Sequence, residues 1–183
     1  MAEFVPRLTA DGIYNNYWWY SDDNPYTEAG YGMPNCTTYA YGRWGELRGS
    51  FNTDLGRIDG TTFYPDAKAW YANSPGILRG TVPQLGAVIC YGCDNPIYGG
   101  HVAVVEVINE DGSIVTSNSG YQSTYFWTYT VRPQNGWLQD YMVARNYYFQ
   151  GFLYLDTEPV PPQPPTPVYN RRKHRLPIWM YGI

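Results

Sequence analysis

A chain of 183 residues with 44% hydrophobic and 15% charged residues is long enough to bury a core, and its length argues for one folded domain. The net charge of −4 is uneven: Arg171, Arg172, Lys173 and Arg175 supply 4 of the 12 basic residues, so residues 1–170 carry 8 basic against 16 acidic side chains. A body this acidic argues against nucleic acid as the main partner, and no apolar run approaches the ~20 residues that cross a bilayer as a helix.

Residues 1–30 lack a clear period. Trp18-Trp19-Tyr20 runs into the turn-rich Ser21-Asp22-Asp23-Asn24-Pro25. Asn35 is a good helix N-cap, and Cys36, Tyr39, Ala40, Arg43 and Leu47 recur at the spacing of one helix face, with Gly49 as the stop. Gly42 and Gly45 each cost about 1 kcal/mol inside a helix, so this helix is expected to lie close against another surface. A second short helix is predicted over Pro65–Asn73.

Beyond Pro83 the chain becomes strand-like. Leu85–Tyr91, His101–Asn109 and Ser113–Ser117 are apolar or β-branched runs, and Glu110-Asp111-Gly112 signals a tight hairpin. Further strands are predicted over Thr124–Val131 and Asp140–Tyr148. Helices followed by an antiparallel meander make an α+β arrangement, with the helices on one face of the sheet. Glu158–Pro167 reads as a polyproline-type spacer, and RRKHRLPIWMYGI, from Arg171 on, is basic and then apolar. The expected layout is a domain over 1–157 with its core at about 25–148, a linker over 158–168 and a tail over 169–183.

Three cysteines leave one thiol free within a monomer. Cys36 stands where a helix begins, and a helix N-terminus beside a histidine favours the thiolate. Nearby amide N–H groups would serve a developing oxyanion. Of two histidines, His174 lies in the basic tail, while His101 opens an apolar strand after the slender Gly99-Gly100 pair, where a general base would be held yet reachable. Asn118 ends the next strand, so its amide oxygen can approach the His101 ring and hold the tautomer that frees the other nitrogen. Taken singly, each has a structural alternative: an inert buried thiol, a strand-end histidine, a turn-forming asparagine.

NCTTYAYGRW at 35–44, VPQLGAVICY at 82–91 and GGHVAVVEVINEDGSIVTSNSG at 99–120 resemble the CHAP domain, the cysteine, histidine-dependent amidohydrolase/peptidase. The resemblance covers roughly residues 25–148. It implies a papain-like α+β fold and hydrolysis of peptidoglycan amides, in stem peptides, cross-bridges or at the sugar–peptide link. Such domains occur in phage endolysins, tail-associated lysins and bacterial autolysins. Carried onto this chain, it makes Cys36 the nucleophile, His101 the base and Asn118 the orienter. Many members have an acid at the third position, and the residue before the nucleophile, often glutamine, is Asn35 here; its amide would serve either an oxyanion pocket or the helix cap.

No cofactor is expected. Some members bind calcium, but Asp22, Asp23 and Glu28 lack the alternating spacing of a ligand loop. The groove wall is expected to include Trp18, Trp19, Tyr31, Tyr98, Tyr121 and Trp127. Cys90-Tyr91-Gly92-Cys93 is a CxxC, which alone is a weak zinc or redox signal. The N-terminus lacks the pattern of a Sec signal, so delivery to the wall by lysis or by a phage particle is expected, with the tail as a possible contact to a phage structural protein. Competing readings are an inactive phage structural or wall-binding module of the same fold, and an amidase for a small thiol or polyamine conjugate; the Pro-rich spacer favours a lysin or virion protein over a metabolic enzyme.

Overall fold

The computed structural model describes residues 4–51, 53–57 and 66–155. Three asparagine-capped helices come first. Asn16 caps α1 (Tyr17–Tyr20) through the Trp18 N–H, and Asn24 caps α2 (Pro25–Glu28) through the Tyr26 N–H, both at 3.1 Å. Asn35 caps α3 (Cys36–Arg48), its Oδ1 accepting from the Thr37 and Thr38 N–H groups at 2.8 and 3.1 Å. Gly49 ends that helix in the left-handed region, φ 70°.

The spacing predicts one buried face for α3, but every residue from Thr37 to Gly45 is buried. Helices α1 and α2 pack on the faces that the sheet leaves open. The two helix glycines follow from this close approach. A Cβ on Gly42 would lie 2.5 Å from the Trp18 carbonyl oxygen, and one on Gly45 would lie 2.8 Å from the Phe51 ring.

The helix expected over Pro65–Asn73 is instead a single 3-10 turn, Ala67–Ala69, with Pro65 outside the described residues. The Lys68 N–H is drawn to the Gly99 carbonyl at 2.7 Å, which ties this turn to the loop before the His101 strand.

Among the described residues, six strands form one antiparallel sheet: β1 (Arg79–Gly80), β2 (Val88–Cys93), β3 (His101–Ile108), β4 (Ile114–Asn118), β5 (Trp127–Val131) and β6 (Tyr147–Leu153). Their order is β1-β6-β2-β3-β4-β5. The meander β2 to β5 is the expected one, with its hairpin turned at Gly112, φ 78°. Strand β6 corrects the sequence reading. Of the predicted strand Asp140–Tyr148 only Tyr147 and Tyr148 are extended: Asp140–Val143 is a helical turn, α4, and the chain reverses through Asn146 at φ 57° before β6 begins.

Successive residues on β2 and β3 point to opposite faces, and both faces are covered. Val88, Cys90, Val102 and Val104 pack with Tyr39, Ala40 and Trp44 of α3. Ile89, Tyr91, Ala103 and Val105 pack with Met142, Phe152 and Trp137 on the other side.

Beneath α3, Arg43 is buried and its fork meets Glu106 of β3 at 3.0 and 2.9 Å. Glu106 also accepts from the Ser117 hydroxyl at 2.7 Å and the Arg7 N–H at 2.8 Å. Glu46 completes the group, pairing with Arg43 at 2.5 Å and with Arg7. A charged residue on the inward face of α3 is therefore satisfied, and the network bolts the helix carrying Cys36 to the strand carrying His101.

Candidate active site

Cys36 is the first residue of α3 and His101 the first of β3, and both line one cavity of about 340 Å³. Asn35, Tyr98 and Tyr121 line it too, joined by Tyr141, Arg145 and Tyr147. The loop after β4 closes one side through Gly120, whose φ is 96°. A Cβ there would stand 2.9 Å from the Asn35 Cα and from the Cys36 nitrogen, so only glycine allows this approach.

Cys36 is half-buried. Burial pushes its thiol up to about 11, against the opposing pull of the backbone N–H groups of Val102, Cys36 and Thr37. The Val102 amide adjoins His101, which places the sulfur beside the start of β3. His101 is 4% exposed, and burial lowers its pKa to about 4, with the Asn118 hydrogen bond acting the other way. At neutral pH the resting pair is thus a thiol and an uncharged imidazole.

The tautomer of that imidazole follows from its neighbours. Asn118, fully buried, places Oδ1 3.1 Å from His101 Nε2. Its Nδ2 donates to the Thr116 carbonyl at 3.1 Å and the Thr116 hydroxyl at 3.0 Å, which fixes the amide orientation. Gln139 Nε2 donates to the same Oδ1 at 2.7 Å, while Gln139 Oε1 accepts from Trp127 Nε1 at 3.2 Å. An oxygen can only accept, so His101 Nε2 bears the proton and Nδ1 has the free lone pair. The ring is held among Trp127, Tyr91 and Tyr141, with centroids 5.8, 6.2 and 6.4 Å away.

The remaining expected residues divide. Asn35 lines the cavity, and its Oδ1 is occupied by the α3 cap and the Thr37 hydroxyl, the latter at 2.6 Å. Trp127 supports the His101 ring from outside the cavity lining, and Tyr31, 48% exposed, also lies outside it. Trp18 and Trp19 are not groove residues. Trp19 is fully buried with its Nε1 on the Tyr39 carbonyl at 3.0 Å, and Trp18 packs on Phe51 because α3 presents glycines there.

Tyr141 and Arg145 escape the sequence reading because they lie on the segment predicted as a strand, Asp140–Tyr148, and Gln139 stands one residue before it. Cys90 and Cys93 are free buried thiols, so the CxxC forms no disulfide. Asp23 accepts from the Tyr17 and Ser21 hydroxyls at 2.6 and 3.1 Å. Among the described residues, no group of three or more His, Cys, Asp or Glu is placed to hold a metal ion, and no helix is long and apolar enough to cross a membrane.

A cysteine at a helix N-terminus, an oriented imidazole and a buried asparagine stand at one end of the sheet, and the family model described as the CHAP domain matches residues 24–120. The chain belongs to the CHAP family. Its fold is the papain-like α+β class that the three sequence blocks lead one to expect. The match ends two residues after Asn118, so it spans Cys36, His101 and Asn118 but neither Gln139 nor Arg145 of this CHAP domain. Among solved structures, similarity extends to an N-acetylmuramoyl-L-alanine amidase from Staphylococcus aureus, with 22% identity and a TM-score of 0.42 over 66% of this chain and 31% of that one. A second is the crystal structure of Ly7917, with 16% identity and a TM-score of 0.45 over 66% of this chain and 54% of that one. The chain therefore matches about a third and about half of the lengths of these two. No curated protein matches this sequence.

Proposed function

We propose that this protein hydrolyses an amide bond of bacterial peptidoglycan by Cys36–His101 nucleophilic catalysis. The observation that carries the proposal is the shared cavity of Cys36 and His101, with the His101 Nε2 engaged by Asn118 and Nδ1 left as the base. In the mechanism, Nδ1 takes the Cys36 proton as sulfur attacks the amide carbonyl. The Cys36 backbone N–H, which the Asn35 cap does not engage, receives the oxyanion, and imidazolium then protonates the leaving amine. The regenerated base activates water, which clears the thioester. Asn118 is a positioning residue, since it touches His101 and is itself fully buried.

Every role is filled by a side chain or a backbone amide, so the mechanism invokes no cofactor. CHAP membership supports peptidoglycan as the substrate. A phage endolysin or tail-associated lysin is the setting we infer, from the acidic domain followed by a Pro-rich spacer.

The test is clearing of purified Gram-positive wall suspensions, followed by turbidity. The wild type is expected to clear them, and Cys36→Ala and His101→Ala to lose at least about 10³-fold of the rate, the scale of losing a nucleophile or its base. A wild type that binds walls without clearing any of a broad panel would favour the wall-binding module instead.

A further inference from the structure

The cavity around Cys36 has one full charge in its wall. Arg145 is the only Lys, Arg, Asp or Glu among its lining residues. It stands in the turn between α4 and β6, a segment that the family match does not reach. Its backbone is pinned on both sides: the N–H donates to the Met142 carbonyl at 3.1 Å, and the Cys93 thiol donates to its carbonyl at 3.4 Å. Its guanidinium lies 5.2 Å from the Tyr121 ring centre and 6.0 Å from that of Tyr141, and Nη1 donates to the Tyr141 carbonyl at 3.3 Å. Those two rings are stacked 3.9 Å apart, so the platform beneath the cation is stiff. Desolvation works against the charge, but the hydroxyls of Tyr98 and Tyr121 outweigh it and hold the group above the ordinary arginine range.

Among the described residues, Arg145 has no acidic partner. The ion pairs among the described residues are made by Arg7, Arg43 and Arg57, with Glu46, Glu106 and Asp54. An arginine that serves packing alone is usually paired or turned to solvent, whereas this one is stacked on aromatic faces, pinned at its backbone and turned into the cavity of the nucleophile. Guanidinium N–H groups present a planar fork that matches a carboxylate in two parallel hydrogen bonds.

We propose that Arg145 is a substrate-carboxylate subsite, so that the enzyme selects wall peptides carrying a free, unamidated carboxylate next to the bond cut. The inference rests on the hydrolase reading above and adds its substrate class. A cavity of about 340 Å³ stands at the small end of the ~300–1,000 Å³ range of ligand pockets. The carboxylate therefore sits on a residue of the scissile bond or on its neighbour. Peptidoglycan stems offer such groups, and the same groups occur as carboxamides in other walls, so the subsite would discriminate wall chemotypes by charge. Tyr98 and Tyr121, which share the cation, would orient it toward the second carboxylate oxygen.

The experiment uses two soluble stem-peptide substrates that differ only in carboxylate against carboxamide, with the wild type, Arg145→Lys and Arg145→Met of the full chain. The wild type is expected to favour the carboxylate at least 10-fold in kcat/KM, mainly through KM. Arg145→Met is expected to bring that ratio to about 1, and Arg145→Lys to retain part of it. A wild-type ratio near 1 overturns the proposal. So does an Arg145→Met protein that loses rate on both substrates with the ratio kept, since that is the signature of a purely structural arginine. Calorimetric binding of the same pair to Cys36→Ala reads the subsite without turnover. A wild type that cuts neither peptide strikes the hydrolase reading, while equal binding of both by Cys36→Ala strikes the subsite.

Discussion

Burial drives Cys36 and His101 in opposite directions, and both directions favour the uncharged form. The pair then differs from a resting thiolate–imidazolium, and alkylation tells them apart. With the thiol pushed to about 11, the rate of iodoacetamide capture at Cys36 should stay low from pH 5 to 8 and climb only above pH 9; a flat, fast rate across pH 5–8 would indicate the preformed ion pair. His101 also links stability to pH. Its folded pKa, about 4, is below the unfolded value of 6.5, so the unfolded state binds more protons between those two values. Stability present above pH 6.5 is lost as pH falls through 4, by about 3 kcal/mol at 1.36 kcal/mol per unit. Urea titrations of the wild type and His101→Gln at pH 7 and pH 4.5 measure it, the variant showing the smaller loss.

Gln139 belongs to the same scale. It is fully buried and donates to the oxygen that orients His101, so Gln139→Leu should lower kcat by about 10-fold with KM little changed and rescue by Gln139→Asn incomplete. Cys36, His101 and Asn118 were legible because each stands at an element end that the sequence marks: an asparagine cap, a Gly-Gly pair, a hairpin strand. Gln139 carries no such mark, since its partner is twenty-one positions away and it stands just before the segment predicted as a strand.

At the scale of elements, α3 and β3 must hold a fixed offset for sulfur and imidazole to meet. The Arg43–Glu106 pair sets that offset from below and Gly120 from above. Replacing Glu106 by Ala leaves a buried guanidinium without its main partner, and should cost about 3–5 kcal/mol by thermal or urea unfolding. Gly120→Ala adds a Cβ at 2.9 Å from the Cys36 backbone at a left-handed φ, so activity should fall further than stability does. The α3 boundaries and the β2–β5 meander could be read from caps, periods and a hairpin signal. The Ala67–Ala69 turn and the true position of β6 could not, because a hydrogen bond to Gly99 and a left-handed Asn146 decide them.

Over the whole molecule, β6 returns across the sheet to pair with β2 and brings α4, Gln139 and Arg145 to the end where α3 and β3 begin. The blocks at 35–44, 82–91 and 99–120 supply Cys36 and His101, while the later segment supplies their support and the cavity's charge. If residues 1–157 are the catalytic unit, as the onset of the Pro-rich spacer suggests, a chain ending at Thr157 should clear soluble wall fragments at the full-length rate. Loss of that rate would move the boundary into residues 158–183. Amide hydrolysis through Cys36 is tested directly by mass spectrometry of peptidoglycan digested in ¹⁸O-water by the wild type and by Cys36→Ala. Matched fragments with a new amine and a new carboxyl carrying ¹⁸O are expected from the wild type alone. New sugar reducing ends without new amines, or the same fragments from Cys36→Ala, would contradict it.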